Sequence, residues 1–66
     1  MSLMVNGRAE AMPDPATLEG VVDALNLTGQ RLAIEHNGQI VPRSLWTTCV
    51  VTAEDKIEIV KAIGGG

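Results

Sequence analysis

The sequence predicts an α+β fold, a mixed sheet of about four to five strands curled around one helix. Three observations carry this. Two Asn-Gly dipeptides each separate short extended segments, a single stretch has helical apolar spacing, and the last third of the chain is β-branched and alternating.

The first extended segments surround Asn6-Gly7, with Leu3-Met4-Val5 before it and Arg8 to Met12 after it, and Asn-Gly is the preferred pair for a two-residue hairpin turn. A β-hairpin therefore opens the fold. Pro13-Asp14-Pro15 stops the second strand, because proline has no amide hydrogen to give a ladder. Met1, Ser2 and Leu3 precede a second methionine, Met4; they read as residue of an alternative start and receive no functional weight.

Thr17 is placed to cap a helix, and Leu18, Val21, Val22 and Leu25 follow at i, i+3, i+4 and i+7, one apolar face over about two and a half turns. Gly20 within it costs about 1 kcal/mol relative to alanine, so the helix depends on docking against a sheet. Gly29 marks the loop that follows.

Arg31 to His36 alternates, with Leu32, Ile34 and His36 on one side and Ala33 and Glu35 on the other. Asn37-Gly38 is the second hairpin turn, Ile40-Val41 continue the pairing, and Pro42 ends it. Ser44 to Thr47 suits a short helical turn carrying Trp46. Thr48 to Thr52 is β-branched, Ala53-Glu54-Asp55 turns, and Lys56 to Lys61 forms a final strand with Ile57 and Ile59 facing one way. Hairpin, helix and further strands in that order suit the β-grasp arrangement.

A chain of 66 residues supports one small core, since a domain of this size buries only roughly 60% of its unfolded surface. No Phe or Tyr and one Trp leave Leu, Ile, Val, Ala and Met to fill it, which argues against an enclosed catalytic cavity. The formal charge is −3, and Arg8, Arg31, Arg43, Lys56 and Lys61 form no run, so nucleic-acid and anionic-membrane binding are disfavoured. One cysteine, no secretory signal pattern and no apolar run of about 18 residues point to a soluble protein in the reducing cytoplasm.

The informative feature is Ile63-Gly64-Gly65-Gly66. Residues 1–62 read as the folded domain and 63–66 as a flexible tail. Glycines without a Cβ make a thin segment able to enter a narrow channel. Extended, these four residues reach on the order of 13 Å. The α-carboxylate of Gly66 is ionised at neutral pH and suited to attack an electrophile such as the α-phosphate of ATP.

The chain resembles the ThiS family of thiamin-biosynthesis sulfur carriers, small ubiquitin-like β-grasp proteins, over nearly its whole length. The matching segments are Val5-Asn6-Gly7, Thr17-Leu18, Asn37 to Trp46 with its Val-Pro-Arg, and Asp55 to Val60 running into Gly64-Gly65-Gly66. The resemblance implies that Gly66 is adenylated by a ubiquitin-activating-like adenylyltransferase using ATP and Mg²⁺, then converted to a thiocarboxylate. It implies a cysteine desulfurase or other donor as the sulfur source and thiazole synthase as the recipient. Gly65, Gly64 and Ile63 would thread into the partners; the chain itself would bind no cofactor or metal and supply no catalytic side chain. Two departures stand out: Glu54-Asp55 replaces the family's Gly-Asp, suggesting a different turn conformation, and His36 occupies an apolar position.

Two further readings compete with the thiamin carrier: the small subunit of molybdopterin synthase or a related sulfur carrier, and a passive β-grasp interaction domain. Val-Pro-Arg with Trp46 favours the thiamin carrier over the first. His36 lacks a second histidine, and Cys49 falls on a different predicted strand, which disfavours a metal or catalytic site; Cys49 reads as a small buried residue, with sulfur acceptance the sharper alternative. Trp46 reads as a core anchor. Val60, Ala62 and Ile63 suit an apolar docking patch beside the tail, and Arg43 suits pairing with either an acidic partner or the chain's own carboxylates.

Overall fold

The computed structural model describes residues 1–62. The predicted tail, Ile63 to Gly66, lies outside the described residues.

The opening hairpin pairs β1 (Ser2–Val5) with β2 (Arg8–Ala11) in register Val5↔Arg8 to Ser2↔Ala11. Its turn has φ of 51° at Asn6 and 79° at Gly7, the left-handed pair that Asn-Gly accommodates. Residues 1–3 are part of this structure: Leu3 is fully buried, and the Met1 and Met12 main chains exchange 2.8 Å hydrogen bonds.

A short strand, β3 (Ala16–Thr17), leads directly into α1 (Leu18–Ala24). Thr17 caps as expected, its Oγ1 accepting from Gly20 N at 3.2 Å. The helix stops at two turns because Asn26 turns left-handed (φ 60°). Asn26 N donates to Asp23 O and Leu27 N to Val22 O, which satisfies two end carbonyls.

Next come β4 (Leu32–His36) and β5 (Gln39–Ile40), joined by Asn37-Gly38 with φ of 51° and 88°. Val41 N extends their pairing to Ile34 O at 2.9 Å before Pro42. A 3₁₀ turn at Arg43–Leu45 delivers Trp46, one residue earlier than the sequence suggests. The predicted strand Thr48 to Thr52 contracts to β6 (Val50–Val51), and it joins no main sheet: it pairs antiparallel with β3 as a separate two-stranded ribbon. Finally β7 (Lys56–Lys61) closes the described chain.

The main sheet has order β2-β1-β7-β4-β5, with β1 and β7 parallel and the other pairs antiparallel. Eleven buried side chains fill the space between sheet and helix, among them Leu3, Leu18, Val21, Ile34, Trp46 and Ile57. Trp46 is the core anchor the sequence predicts, and its indole N–H donates to Val41 O at 2.9 Å, so no polar atom is stranded by its burial. Carbonyls of the Trp46–Cys49 segment also serve the helix: Glu19 N donates to Trp46 O and Leu18 N to Cys49 O, occupying amides with no partner inside α1.

Glu54 has φ 71°, the left-handed region that glycine enters freely and other L-residues enter at a cost of roughly 1–2 kcal/mol. The departure from Gly-Asp is thus carried as backbone strain. Replacing Glu54 by glycine is expected to stabilise the fold by about 1 kcal/mol, partly offset by glycine's unfolded-state entropy, and to raise the midpoint of thermal unfolding by several degrees; differential scanning calorimetry checks this.

Candidate functional site

Strand β7 sits between β1 and β4 and carries the chain out of the domain. Both hairpin-turn asparagines grip it. Asn6 gives its side-chain amide to Ile59 on both sides, Nδ2 donating to Ile59 O at 3.1 Å and Oδ1 accepting from Ile59 N at 2.8 Å. Asn37 Oδ1 accepts from Lys56 N at 2.8 Å while Asn37 N donates to Lys56 O. After Lys61, Ala62 N still donates to Arg31 O at 2.9 Å, so β7 is paired to the end of the described residues.

The residues proposed as a docking patch fall around this exit. Val60 lies opposite Ala33 on the open face of the sheet and is 63% exposed; Ala62 is exposed one residue beyond β7. Arg43 and Ala62 line the same shallow groove of about 360 Å³, with Gln30, Arg31 and Leu32. The Arg43 guanidinium stacks 4.8 Å over the Trp46 ring and donates to Gln30 O at 2.7 Å, so among the described residues a ring and a carbonyl fix it. Ile63, Gly64, Gly65 and Gly66 lie outside the described residues.

At the opposite end of β7 the fold assembles a group the sequence did not reveal. His36, on the core-facing side of β4, places Nε2 2.8 Å from Asp55 Oδ2 and Nδ1 3.6 Å from Cys49 Sγ. Asp55 also accepts from Thr52 N at 2.9 Å, Thr52 Oγ1 at 3.0 Å and Asn37 Nδ2 at 3.3 Å. The His36 hydrogen bond above all, with the Thr52 and Asn37 donors, holds the Asp55 carboxyl well below the usual carboxylate range against the opposing effect of burial. Cys49, His36 and Asp55 stand in line, each ring nitrogen already engaged, so they do not converge on one point as metal ligands would; among the described residues no group of His, Cys, Asp and Glu is arranged to hold a metal. The three lie 13 and 19 residues apart, and a polar His at an otherwise apolar strand position was the only signal of them.

With the geometry in view, a mixed five-stranded sheet packed on one helix among the described residues defines a ubiquitin-like β-grasp domain. The model of the ThiS family matches residues 3–66, and the chain belongs to that family. Its fold superposes on the crystal structure of a thiamine biosynthesis protein (ThiS) from Geobacter metallireducens with a TM-score of 0.85 and 25% identity, covering the whole of both chains. A thiazole synthase of Paramagnetospirillum magneticum is 36% identical over 66 residues; the match takes in all of this chain and 20% of that protein, so the chain spans about one-fifth of that relative's length. An uncharacterized protein ycf40 of Porphyra purpurea is 30% identical over 66 residues, covering this chain and 93% of the relative. No helix among the described residues is long and apolar enough to cross a membrane.

Because the folded Asp55 carboxyl is more acidic than its unfolded counterpart, the charged form adds stability that is fully present above the unfolded pKa and is lost as pH falls toward the folded one. Urea midpoints of the wild type are expected to drop as pH falls below about 4, near the ordinary Asp pKa. Asp55→Asn is expected to be less stable by about 1–3 kcal/mol at neutral pH and to lose less on acidification.

Proposed function

We propose that this chain is a sulfur carrier of thiamin biosynthesis that works through the carboxyl group of Gly66. The observation that supports this reading is that the family match runs through residue 66 and so takes in the three glycines that follow β7, Ala62 and Ile63 in the sequence. The chemistry needs no acid or base from this chain. The Gly66 carboxylate attacks the α-phosphate of ATP within an adenylyltransferase that also supplies Mg²⁺, pyrophosphate leaves, and a sulfur nucleophile then displaces AMP to leave a thiocarboxylate. A cysteine desulfurase or a related persulfide donor supplies that sulfur, and thiazole synthase receives it, in the cytoplasm.

The thiazole synthase relatives support the last step, since each contains a segment similar to all of this chain within a longer protein. Holding sulfur on a docked protein raises its effective concentration at the recipient and keeps it from indiscriminate reaction. Gly65, Gly64 and Ile63 are the segment that enters both partners, while Val60, Ala62 and Arg43 form the contact around it. The open face beside Val60 carries Glu35 and Glu58 directly opposite each other. Like charges so placed destabilise the isolated sheet, and a cationic partner surface relieves them.

Incubation of the chain with its activating enzyme, ATP and a sulfur donor is expected to raise the intact mass by the replacement of one oxygen with one sulfur, read by mass spectrometry. Deleting Gly65 and Gly66 abolishes the gain. No gain with a competent enzyme, or an undiminished gain after the deletion, would falsify the carrier reading. Val60→Lys is expected to slow loading on the order of tenfold with little change in thermal unfolding, because a cation beside Glu35 and Glu58 is tolerated by the sheet but opposes a cationic partner surface.

A further inference from the structure

The line formed by Cys49, His36 and Asp55 has no part in the chemistry of the tail. Atom by atom it resembles an activated thiol. Asp55, held ionised, can only accept, so the His36 Nε2–H donates to its Oδ2. In the neutral imidazole the unprotonated nitrogen is then Nδ1, and that is the nitrogen 3.6 Å from Cys49 Sγ. Nucleophile, base and orienting carboxylate follow in the order that nucleophilic thiol sites require.

The main chain fixes this order. Cys49 N donates to Leu45 O at 3.0 Å, and Cys49 O accepts from Leu18 N at 3.0 Å, so the thiol is held at the helix entrance. His36 is pinned in β4 opposite Ile57 and Gln39. Asp55 is fixed by the Thr52 and Asn37 donors described above. Cys49 is partly exposed, not sealed in the core, and with His36 it faces a cleft of about 370 Å³. Ile40, Val41, Pro42 and Leu45 make one side of that cleft apolar. That apolar wall suits a soft, weakly hydrated sulfur electrophile placed against Sγ.

We propose that Cys49, His36 and Asp55 form a second sulfur site, at which Cys49 attacks the S–S bond of a small disulfide or persulfide that lodges in the Ile40–Leu45 cleft. In the step, the Sγ proton passes to His36 Nδ1 and Sγ forms a new S–S bond with the attacked sulfur. The original S–S bond breaks, and the departing thiolate takes the proton from Nδ1. With a persulfide attacked at its outer sulfur, Cys49 gains one sulfur and a thiol is released; with a disulfide, Cys49 becomes a mixed disulfide and a thiol is likewise released. No external oxidant or reductant enters the balance. His36 acts as the base, and Asp55 is a positioning residue acting through it.

The test uses the full chain and reads Cys49 directly, so its outcome is independent of whether Gly66 is loaded. Reaction of Cys49 with iodoacetamide is followed by intact mass across neutral and alkaline pH in the wild type, His36→Gln and Asp55→Asn, with circular dichroism confirming that each variant is folded. Near neutral pH the wild type is expected to react on the order of tenfold faster than His36→Gln, because a thiol without a base is only a few per cent thiolate there. The advantage shrinks at alkaline pH, where an ordinary thiol ionises unaided, and Asp55→Asn falls between the two. Oxidised glutathione and cysteine persulfide are then offered separately. A glutathione-sized mass gain identifies the disulfide as substrate and a one-sulfur gain the persulfide, each absent in Cys49→Ser. A wild-type profile that matches His36→Gln at every pH overturns the proposal, and so does failure of Cys49 to take up either probe. Should His36→Gln not fold, the comparison passes to Asp55→Asn, and a profile identical to wild type overturns it equally.

Discussion

The structure depends on holding β7, the last element of the described residues in sequence, in the middle of the sheet. A terminal strand normally frays, because its end has few contacts to lose. Here it is flanked on both sides, by parallel β1 and antiparallel β4, and is further gripped by two asparagine side chains acting as surrogate peptide groups. Ile57 and Ile59 then enter the core from a backbone whose hydrogen bonds are met at both edges. The origin from which the chain continues beyond Ala62 is fixed because β7 stays in register with β4 through Lys61 and Ala62 N still donates to Arg31 O.

The same economy explains why the Trp46 segment matters. Its carbonyls complete the helix entrance, its indole fills the core, and its ring carries the Arg43 guanidinium to the groove beside Ala62. Core, cap and docking rim thus share one loop. A change at Trp46 would therefore not be a local packing event, since the N-terminal amides of α1 and the position of Arg43 go with it.

Much of this was legible because local chemistry dictated it. The Asn-Gly pairs named two hairpins, Thr17 named the helix start, and the alternation of Ile57 and Ile59 named the core face of β7. What escaped was set by register rather than by local pattern. Asn6 looked like a turn residue, and nothing nearby in sequence announces that its amide meets Ile59, 53 residues on. Thr48 to Thr52 read as a full strand because β-branched residues favour one, yet the helix-capping duty of Cys49 O leaves only Val50–Val51 free to pair, and with Ala16–Thr17. The Cys49–His36–Asp55 line was invisible for the same reason: a strand, a loop and a turn meet only once β4 and β7 are in register. The reading of Gly66 rests on the residues and their resemblance alone, since Ile63 to Gly66 lie outside the described residues.

The proposed thiol site and the last described residue, Ala62, fall at opposite ends of β7. His36 lies opposite Ile57 and Leu32 opposite Lys61, so the thiol site stands at the start of β7 and Ala62 at its finish. At about 3.3 Å per residue, the five steps from Ile57 to Ala62 separate them by roughly 16 Å. The thiol therefore stands apart from the point at which Ala62 N pairs with Arg31 O, so chemistry at Cys49 need not disturb the last hydrogen bond of the sheet.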